Sequence, residues 1–568
     1  MVKKLVIFLF LTVLTVSLFA VGNRQGAGSS VAAGASKRYG NLPFATGNRT
    51  RLSMLIPVGG QPNITSFNYN DNLFTREVTD RTGIQFDFIT VPSTDYATRR
   101  NLLLASGDYP DVINVGFNFN DMAYWASEGV IVPLDDYHLL DYPMIAKAFN
   151  DYPALNTRLR LGDGKAYALP SVDDAIWGTY SFGRGAIHMP WIRDFQQMRF
   201  PRTLDELTTY LRWIRDTDVN RNGNPNDEVP LAFVNVQNST AWFAKAFMPF
   251  VYTGSHFGLA LVNGRVTEQY KATEYRNALR YMASLYGEGL IKQDSYTMTV
   301  DQLRALSLNP EPVLGVLLDS WAMSIIGTTN ARWPESFVLP PMNGPSGRHW
   351  SSNREPWGIV DARWHVTDKC SDPELVIALY DFLATDEMYL NGSNQRGVSW
   401  TDPDRGALGM DGRPALYKRL IQEPQMPLNS LWYIYNATIM YRERRMGEQT
   451  EGMDIVNRWL TTGDPTIRDT VLNTPSFLLG GLIHWSQEDA PNAIPDDYFI
   501  PLIIFSDADS RREADIRAVL NPYLNQSIAE FVTGVRNINN DAAWNSYIAD
   551  LDRLGAQERA GIFQRYIR

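Results

Sequence analysis

The stretch Thr82 to Val115 constrains the fold more than any other part of the chain. Ile84, Phe86, Phe88 and Ile89 form a short apolar run with partial alternation, which predicts a strand. Asp95 stands as a helix N-cap before Tyr96, Leu102, Leu103 and Leu104, and Ser106-Gly107-Asp108 closes that helix. Tyr109-Pro110 turns the chain, and Asp111 to Val115 reads as a second strand. A strand, a crossover helix and a strand make a βαβ unit, so the sheet is expected to be parallel with helices on both faces. Ligands of such sheets bind beyond the carboxyl ends of the strands, which puts Asn114 to Asn120 at a candidate cleft.

The surrounding sequence supplies matching pieces. Arg51 to Val58 predicts a first strand, Leu73 to Arg81 a helix, and Met122 to Gly129 a short helix. Val130 to Tyr137 reads as a strand and turn, and Asp163 to Pro170 as a hairpin-like turn and strand. Thr203 with Glu206 forms a capping box. Thr267 to Val300 is expected to be helical, with Tyr275, Leu279, Met282 and Leu285 on one face. Pro312 to Leu318 predicts a strand ending at Asp319-Ser320-Trp321, and Asp372 to Leu390 a helix. Ile516, Leu520, Leu524, Ile528 and Phe531 keep a helical period up to Gly534, and Trp544, Tyr547 and Leu551 repeat it up to Gly555.

A chain of 568 residues accommodates about two to four domains. Its net charge of −10 argues against nucleic acid and anionic membrane surfaces as partners. At the N-terminus Lys3 and Lys4 precede an apolar core, Leu5 to Phe19, and the small residue Ala20. Residues 1–20 therefore read as an export signal, and 21–48 as a flexible, Gly/Ser-rich tether. The apolar core is short for a membrane span, and no later stretch reaches about 20 apolar residues. Cys370 is the only cysteine, which excludes an internal disulfide and leaves no thiol at the signal's end to acylate. A soluble, exported protein without a direct membrane anchor is the expectation.

Motifs for catalysis are poor. The six histidines show no zinc spacing, and neither a nucleophile elbow nor a phosphate loop is present. Asp135-Asp136, Asp173-Asp174 and Asp496-Asp497 are carboxylate pairs that a glycosidase could use, although adjacent carboxylates in loops are more often solvated surface. Asp218-Val-Asn220-Arg-Asn222-Gly223 matches the first six positions of a calcium loop, with Asn224 at the seventh. Position twelve is Val229 in place of the bidentate glutamate, and a metal-free Asn/Gly/Pro turn is the alternative. Fifteen tryptophans and 27 tyrosines supply aromatic platforms that suit the apolar faces of sugar rings. Trp177, Trp242, Trp357, Trp400 and Trp432 lie in polar, loop-like surroundings, and Asn118, Gln237 and Ser239 are hydrogen-bonding candidates by position. Burial in a core is the competing reading for each tryptophan.

Thr82-Gly-Ile84, Val91-Pro-Ser-Thr-Asp-Tyr96 and Leu102-Leu-Leu-Ala-Ser-Gly-Asp-Tyr-Pro-Asp-Val-Ile113 together resemble the N-terminal lobe of extracellular solute-binding proteins of ABC importers. The similarity is to the large oligosaccharide-binding subgroup, alginate-oligosaccharide binders included, and runs from about Arg51 to the last residue. It implies an α/β fold of two lobes, the class II periplasmic-binding-protein type, with a hinge and an interlobe ligand cleft. The implied lobes are 49–170 plus 361–400 and 171–360 plus 401–568. Trp321 resembles the family's sugar-stacking tryptophan, and Asp227-Glu228 the acidic pair of the family's calcium loop, here with one extra residue before it. Asp218, Asn220, Asn222, Asn224, Asp227 and Glu228 are thus the candidate ligands of a structural calcium ion. The implied partners are an oligosaccharide and the transmembrane subunits of an ABC permease, with the protein itself a monomer. An acidic sugar would call for arginines, and Arg184, Arg354 and Arg396 are available. A secreted carbohydrate-active enzyme using an Asp/Glu pair is the alternative from another class.

Overall fold

In the computed structural model the described residues are 38–44, 50–58, 68–92, 95–114, 117, 119–173, 185–195, 200–252, 257–318, 325–326, 335–351, 359–393, 400–407, 414–419, 446–447, 458–459, 462, 466, 485, 488–501, 503 and 505–567. The first part of the chain runs β1 (Arg51–Val58), α1 (Leu73–Thr82), β2 (Gln85–Pro92), α2 (Tyr96–Ser106), β3 (Val112–Asn114), α3 (Phe119–Ser127), α4 (Pro143–Asp151), α5 (Ala154–Leu159) and β4 (Leu169–Asp173). A middle part follows: β5 (Ala186–His188), α6 (Met189–Asp194), α7 (Leu204–Asp216), β6 (Val229–Phe233), α8 (Val236–Ala244), β7 (Leu259–Val262), β8 (Arg265–Glu268), α9 (Thr273–Gly287), α10 (Val300–Ser307), β9 (Leu314–Leu318) and β10 (Ser336–Val338). Then come β11 (Ile359–Val366), α11 (Pro373–Leu383), α12 (Asp386–Ser393) and the short strands β12 (Trp400–Thr401), β13 (Tyr417–Arg419) and β14 (Met446–Gly447). Three helices close the chain: α13 (Asp507–Thr533), α14 (Asp541–Arg553) and α15 (Ala556–Gln564).

The predicted βαβ unit is present, and β1 lies between its two strands. The first sheet has the order β2-β1-β3-β11-β4, with β1 parallel to both β2 and β3. Met54, Leu55 and Ile56 of this inner strand are wholly buried, whereas in the edge strand β2 only Phe86 and Val91 are buried. That contrast follows from helices covering both faces at the sheet centre. The sheet is not all parallel: β11 runs antiparallel to β3 and to β4. The second sheet, β10-β5-β9-β6, pairs β6 with β9 in parallel and both β5–β9 and β10–β5 antiparallel.

Each sheet carries its own core, giving an α/β molecule of two lobes. One core joins residues of the first part to Ala362, Trp364, Val366 and the buried face of α11. The other joins α7, α9 and the second sheet to Ile516, Leu520, Ile528, Trp544 and Phe563 of the closing helices. In α7, Leu207, Tyr210, Leu211 and Ile214 are fully buried at helical spacing. Burying each such side chain contributes about 1.5–3 kcal/mol.

Several sequence expectations need correcting. Asp95 does not cap α2: its backbone is right-handed helical and its side chain makes no cap bond. Its N–H instead donates to Pro92 O at 2.9 Å, so a turn starts the helix. Val130 to Tyr137 is not a strand. Ile131 alone bridges Thr367, and Leu134–Tyr137 coils into a 3-10 turn after Pro133, which has no N–H for a ladder. Thr203 accepts from Glu206 N–H at 3.1 Å, but the Glu206 carboxylate takes the N–H of Arg202 at 2.8 Å. The helix expected over Thr267 to Val300 is confined to α9, where Tyr275, Leu279, Met282 and Leu285 do share the buried face. Asp372 to Leu390 divides into α11 and α12 at Ala384-Thr385.

Candidate functional site

Topology locates the site. β4 runs parallel to β3, so it ends at the same carboxyl edge as β1 and β3; its last residue, Asp173, pairs with Ile359, the first of β11. In the second sheet Ala186 of β5 pairs with Leu317 near the carboxyl end of β9, and Val338 of β10 pairs with Ala186. The chain therefore passes from β4 to β5, and from β10 to β11, between the carboxyl edges of the two sheets. Parallel strands β6 and β9 end at that edge of the second lobe as β1 and β3 end at the first. The two passages leave the first lobe from paired positions, since Asp173 lies opposite Ile359.

In the first lobe the carboxyl edge is braced from α2. The Tyr96 hydroxyl lies against Leu55 O at 3.3 Å and Asn114 O as a donor, tying the middle of β1 to the end of β3. Burial pushes this phenol above its usual range, so it stays a donor. Phe117, just past β3, lies between two partners: the Arg100 guanidinium stacks 4.7 Å from its ring centre, and the His365 ring meets it edge-on at 4.7 Å. His365 is wholly buried; its Nδ1 donates to Tyr167 O at 3.0 Å, while Nε2 finds no partner among the described residues. Burial holds this imidazole neutral, with its pKa lowered to about 3. Arg100 is itself held down by burial and reaches Asp121 at 3.6 Å. Sequence reasoning missed Tyr96, Arg100 and His365 as bracing groups, because each lies on a helix or strand far from the turn it holds.

In the second lobe α8 begins two residues beyond the end of β6. Asn235 caps it by accepting from Asn238 N–H at 3.0 Å, and Gln237 stands half-buried in the first turn at the carboxyl edge. Ser239 is buried and its hydroxyl donates to Asn235 O at 2.9 Å. Trp242 is half-buried, edge-on to Phe243 at 4.9 Å. Trp400 begins β12, paired with Arg419. Asn118, Trp177, Trp321, Trp357 and Trp432 lie outside the described residues, as do Arg184, Arg354 and Arg396.

The loop 218–228 is a ring of side-chain turns. Asp218 accepts from Asn222 N–H (3.1 Å) and Gly223 N–H (2.9 Å), and Asn220 Oδ1 accepts from the same Asn222 N–H at 3.0 Å. Asn222 Oδ1 accepts from Asn224 N–H at 2.8 Å, and the Asn222 amide donates to Asp227 at 2.7 Å. Arg221 (φ 60°) and Gly223 (φ 88°) supply the left-handed backbone the bends require. Glu228 Oε1 takes Val219 N–H at 2.9 Å, while its other oxygen, Oε2, is buried without a partner among the described residues. Desolvation, with Asp227 beside it, raises the Glu228 carboxyl above its ordinary value. Among the described residues no group of three or more His, Cys, Asp or Glu is arranged to hold a metal ion, and the oxygens turned into this loop come from asparagine as well as from carboxylate.

Among the described residues no helix is long and apolar enough to cross a membrane. The chain is 24% identical over 507 residues to the fructooligosaccharide ABC transporter substrate-binding protein FusA of Streptococcus pneumoniae serotype 4, covering 88% of this chain and 87% of that one. Its structure superposes on that of S. pneumoniae FusA in complex with kestose with a TM-score of 0.66, at 21% identity, over 91% of this chain and 99% of the other. For the alginate-binding protein AlgQ2 without calcium ion the TM-score is 0.63 at 18% identity, over 92% of this chain and 99% of the other. The model of the family "Bacterial extracellular solute-binding protein" matches residues 69–389, more than half of the chain. The protein belongs to the bacterial extracellular solute-binding proteins, and its fold is theirs.

Proposed function

We propose that this protein captures an oligosaccharide between its two lobes, outside the cytoplasm, and delivers it to the transmembrane subunits of an ABC importer. One observation carries the reading: the two passages from β4 to β5 and from β10 to β11 join the carboxyl edges of the two sheets, the edges at which α/β sheets bind ligands. FusA and AlgQ2, whose ligands are carbohydrates by name, support the sugar class. Gln237, in the first turn of α8, would bond sugar hydroxyls. Trp321, three positions after the end of β9, is the proposed platform for a sugar face. Binding without catalysis is the simpler reading of the acidic pairs. Asp135 is held by Arg160 at 2.9 Å in a half-buried ion pair and Asp136 by Lys165 at 2.8 Å in an exposed one, so both carboxylates of that pair are taken up by cations.

Calcium in the 218–228 loop belongs to the same proposal. Asp218, Asn220, Asn222, Asn224, Asp227 and Glu228 would hold it. The bare, buried Oε2 of Glu228 favours this, since an unpartnered carboxylate oxygen suits a hard cation. The ion would neutralise the acidic loop and tie the end of α7 to the start of β6.

The test is a thermal-shift panel on the full chain: neutral fructose-based and galactose-based oligosaccharides, uronic-acid oligosaccharides, amino acids and short peptides. A ligand at 100 times its Kd stabilises the native state by about 2.7 kcal/mol, which raises Tm visibly. The expected result is a rise with at least one oligosaccharide. A rise with a peptide or amino acid and with none of the sugars would overturn the ligand class.

A further inference from the structure

The segment preceding β1 is seated on the first lobe. Arg38 N–H donates to Glu374 Oε1, the Arg38 guanidinium pairs with Asp372, and the Tyr39 hydroxyl donates to Asp372 Oδ2. The same Glu374 oxygen accepts from the Tyr142 hydroxyl at 3.1 Å. Six residues on from Arg38, Phe44 meets Phe382 edge-on at 6.2 Å, and Tyr39 meets Phe44 at 6.0 Å. Phe382 also carries the Arg81 guanidinium, 5.0 Å from its ring centre. A cationic and aromatic strand of chain thus lies along α11 in a seat that is acidic at one end and aromatic at the other.

Two anchors say where that seat is. Asp372 follows the end of β11 by six residues, and β11 ends where β3 begins, with Val366 opposite Val112. Arg81 is in the last turn of α1, just before Gly83 and the start of β2. Both are at the amino-terminal edge of the first sheet, opposite the carboxyl edge through which the lobes connect.

We infer that residues 38–44 are a strap that fixes the chain's entry into the body on the side of the first lobe away from the cleft. A protein held or drawn by the segment preceding Arg38 would then keep its ligand-binding edge turned outward, whatever solute it takes. Burial and Asp372 push the Tyr39 phenol up to about 12, so its donated bond persists across ordinary pH.

The test is a distance measurement between nitroxide labels on the full chain carrying Gly40→Cys and Ala105→Cys, both exposed positions, with the buried Cys370 replaced by Ser. Without other changes the pulsed-EPR distance distribution is expected to be narrow. Adding Arg38→Ala, Tyr39→Ala and Phe44→Ala should broaden it at least about twofold while oligosaccharide affinity stays within about threefold. Tyr39→Phe, which keeps the ring and loses the hydroxyl's bonds to Asp372 and Arg38, should broaden it less. A broad distribution in the parent, or an equally narrow one in the triple variant, overturns the strap. So does a triple variant whose affinity falls tenfold or more, since that would place the segment at the cleft.

Discussion

At the scale of single residues, His365 and the calcium loop make claims that can be measured separately. His365 is buried neutral, with a folded pKa of about 3 against an ordinary 6.5. Its pKa is depressed, so the unfolded chain binds a proton below pH 6.5 while the folded one does not. The resulting stability is present above pH 6.5 and is lost progressively as pH falls toward 3, at about 1.4 kcal/mol per pH unit from this group. Chemical denaturation of His365→Phe should show a shallower loss of stability between pH 6 and 4, alongside a cost of about 1–3 kcal/mol at pH 7 from the orphaned Tyr167 carbonyl. An unchanged pH slope would show that His365 titrates freely in the folded protein. For the loop, chelator should lower Tm and calcium restore it, and Asp218→Ala should remove that response while sugar affinity is kept. Equal melting temperatures for metal-free and calcium-loaded wild type would refute a bound ion.

At the scale of elements, packing decides what patterning leaves open. Gly185 leads into β5 so close to its neighbour that an added Cβ would lie 2.2 Å from Leu317 O. Gly185→Ala should therefore part β5 from β9, costing about 1–3 kcal/mol, a clear fall in Tm by calorimetry. A melting temperature within a degree of wild type would mean that the strands can shift without cost. Such close approaches cannot be read from a sequence, because they depend on a partner residue 132 positions away. Strand β1 and helices α1 and α2 were legible because their periodicity is local and strong. The segment Val130 to Tyr137 was misread because an apolar run with one proline serves equally as a strand or as turns against a core, and Leu134 packs as the latter. The antiparallel β11 was invisible for a different reason: it enters the first sheet from residue 359, and only its burial between β3 and β4 defines it. The residues that brace the site, Tyr96, Arg100 and His365, share that difficulty, since their partners come from separate elements.

At the scale of the whole molecule, two lobes have separate cores, and the passages from β4 to β5 and from β10 to β11 run between the carboxyl edges of their sheets. Such an arrangement closes when one ligand contacts both lobes, because the closed form alone gains both sets of contacts. Trp321→Ala should then weaken sugar binding about 5- to 150-fold with Tm unchanged, the loss expected for uncovering an aromatic–sugar contact of roughly 1–3 kcal/mol. A large fall in Tm with affinity retained would make Trp321 a core residue. The most direct test is small-angle X-ray scattering of the full chain, without ligand and saturated with the oligosaccharide that gives the largest thermal shift. The radius of gyration should fall on saturation as the lobes close. An identical radius of gyration in the two states would contradict capture between the lobes.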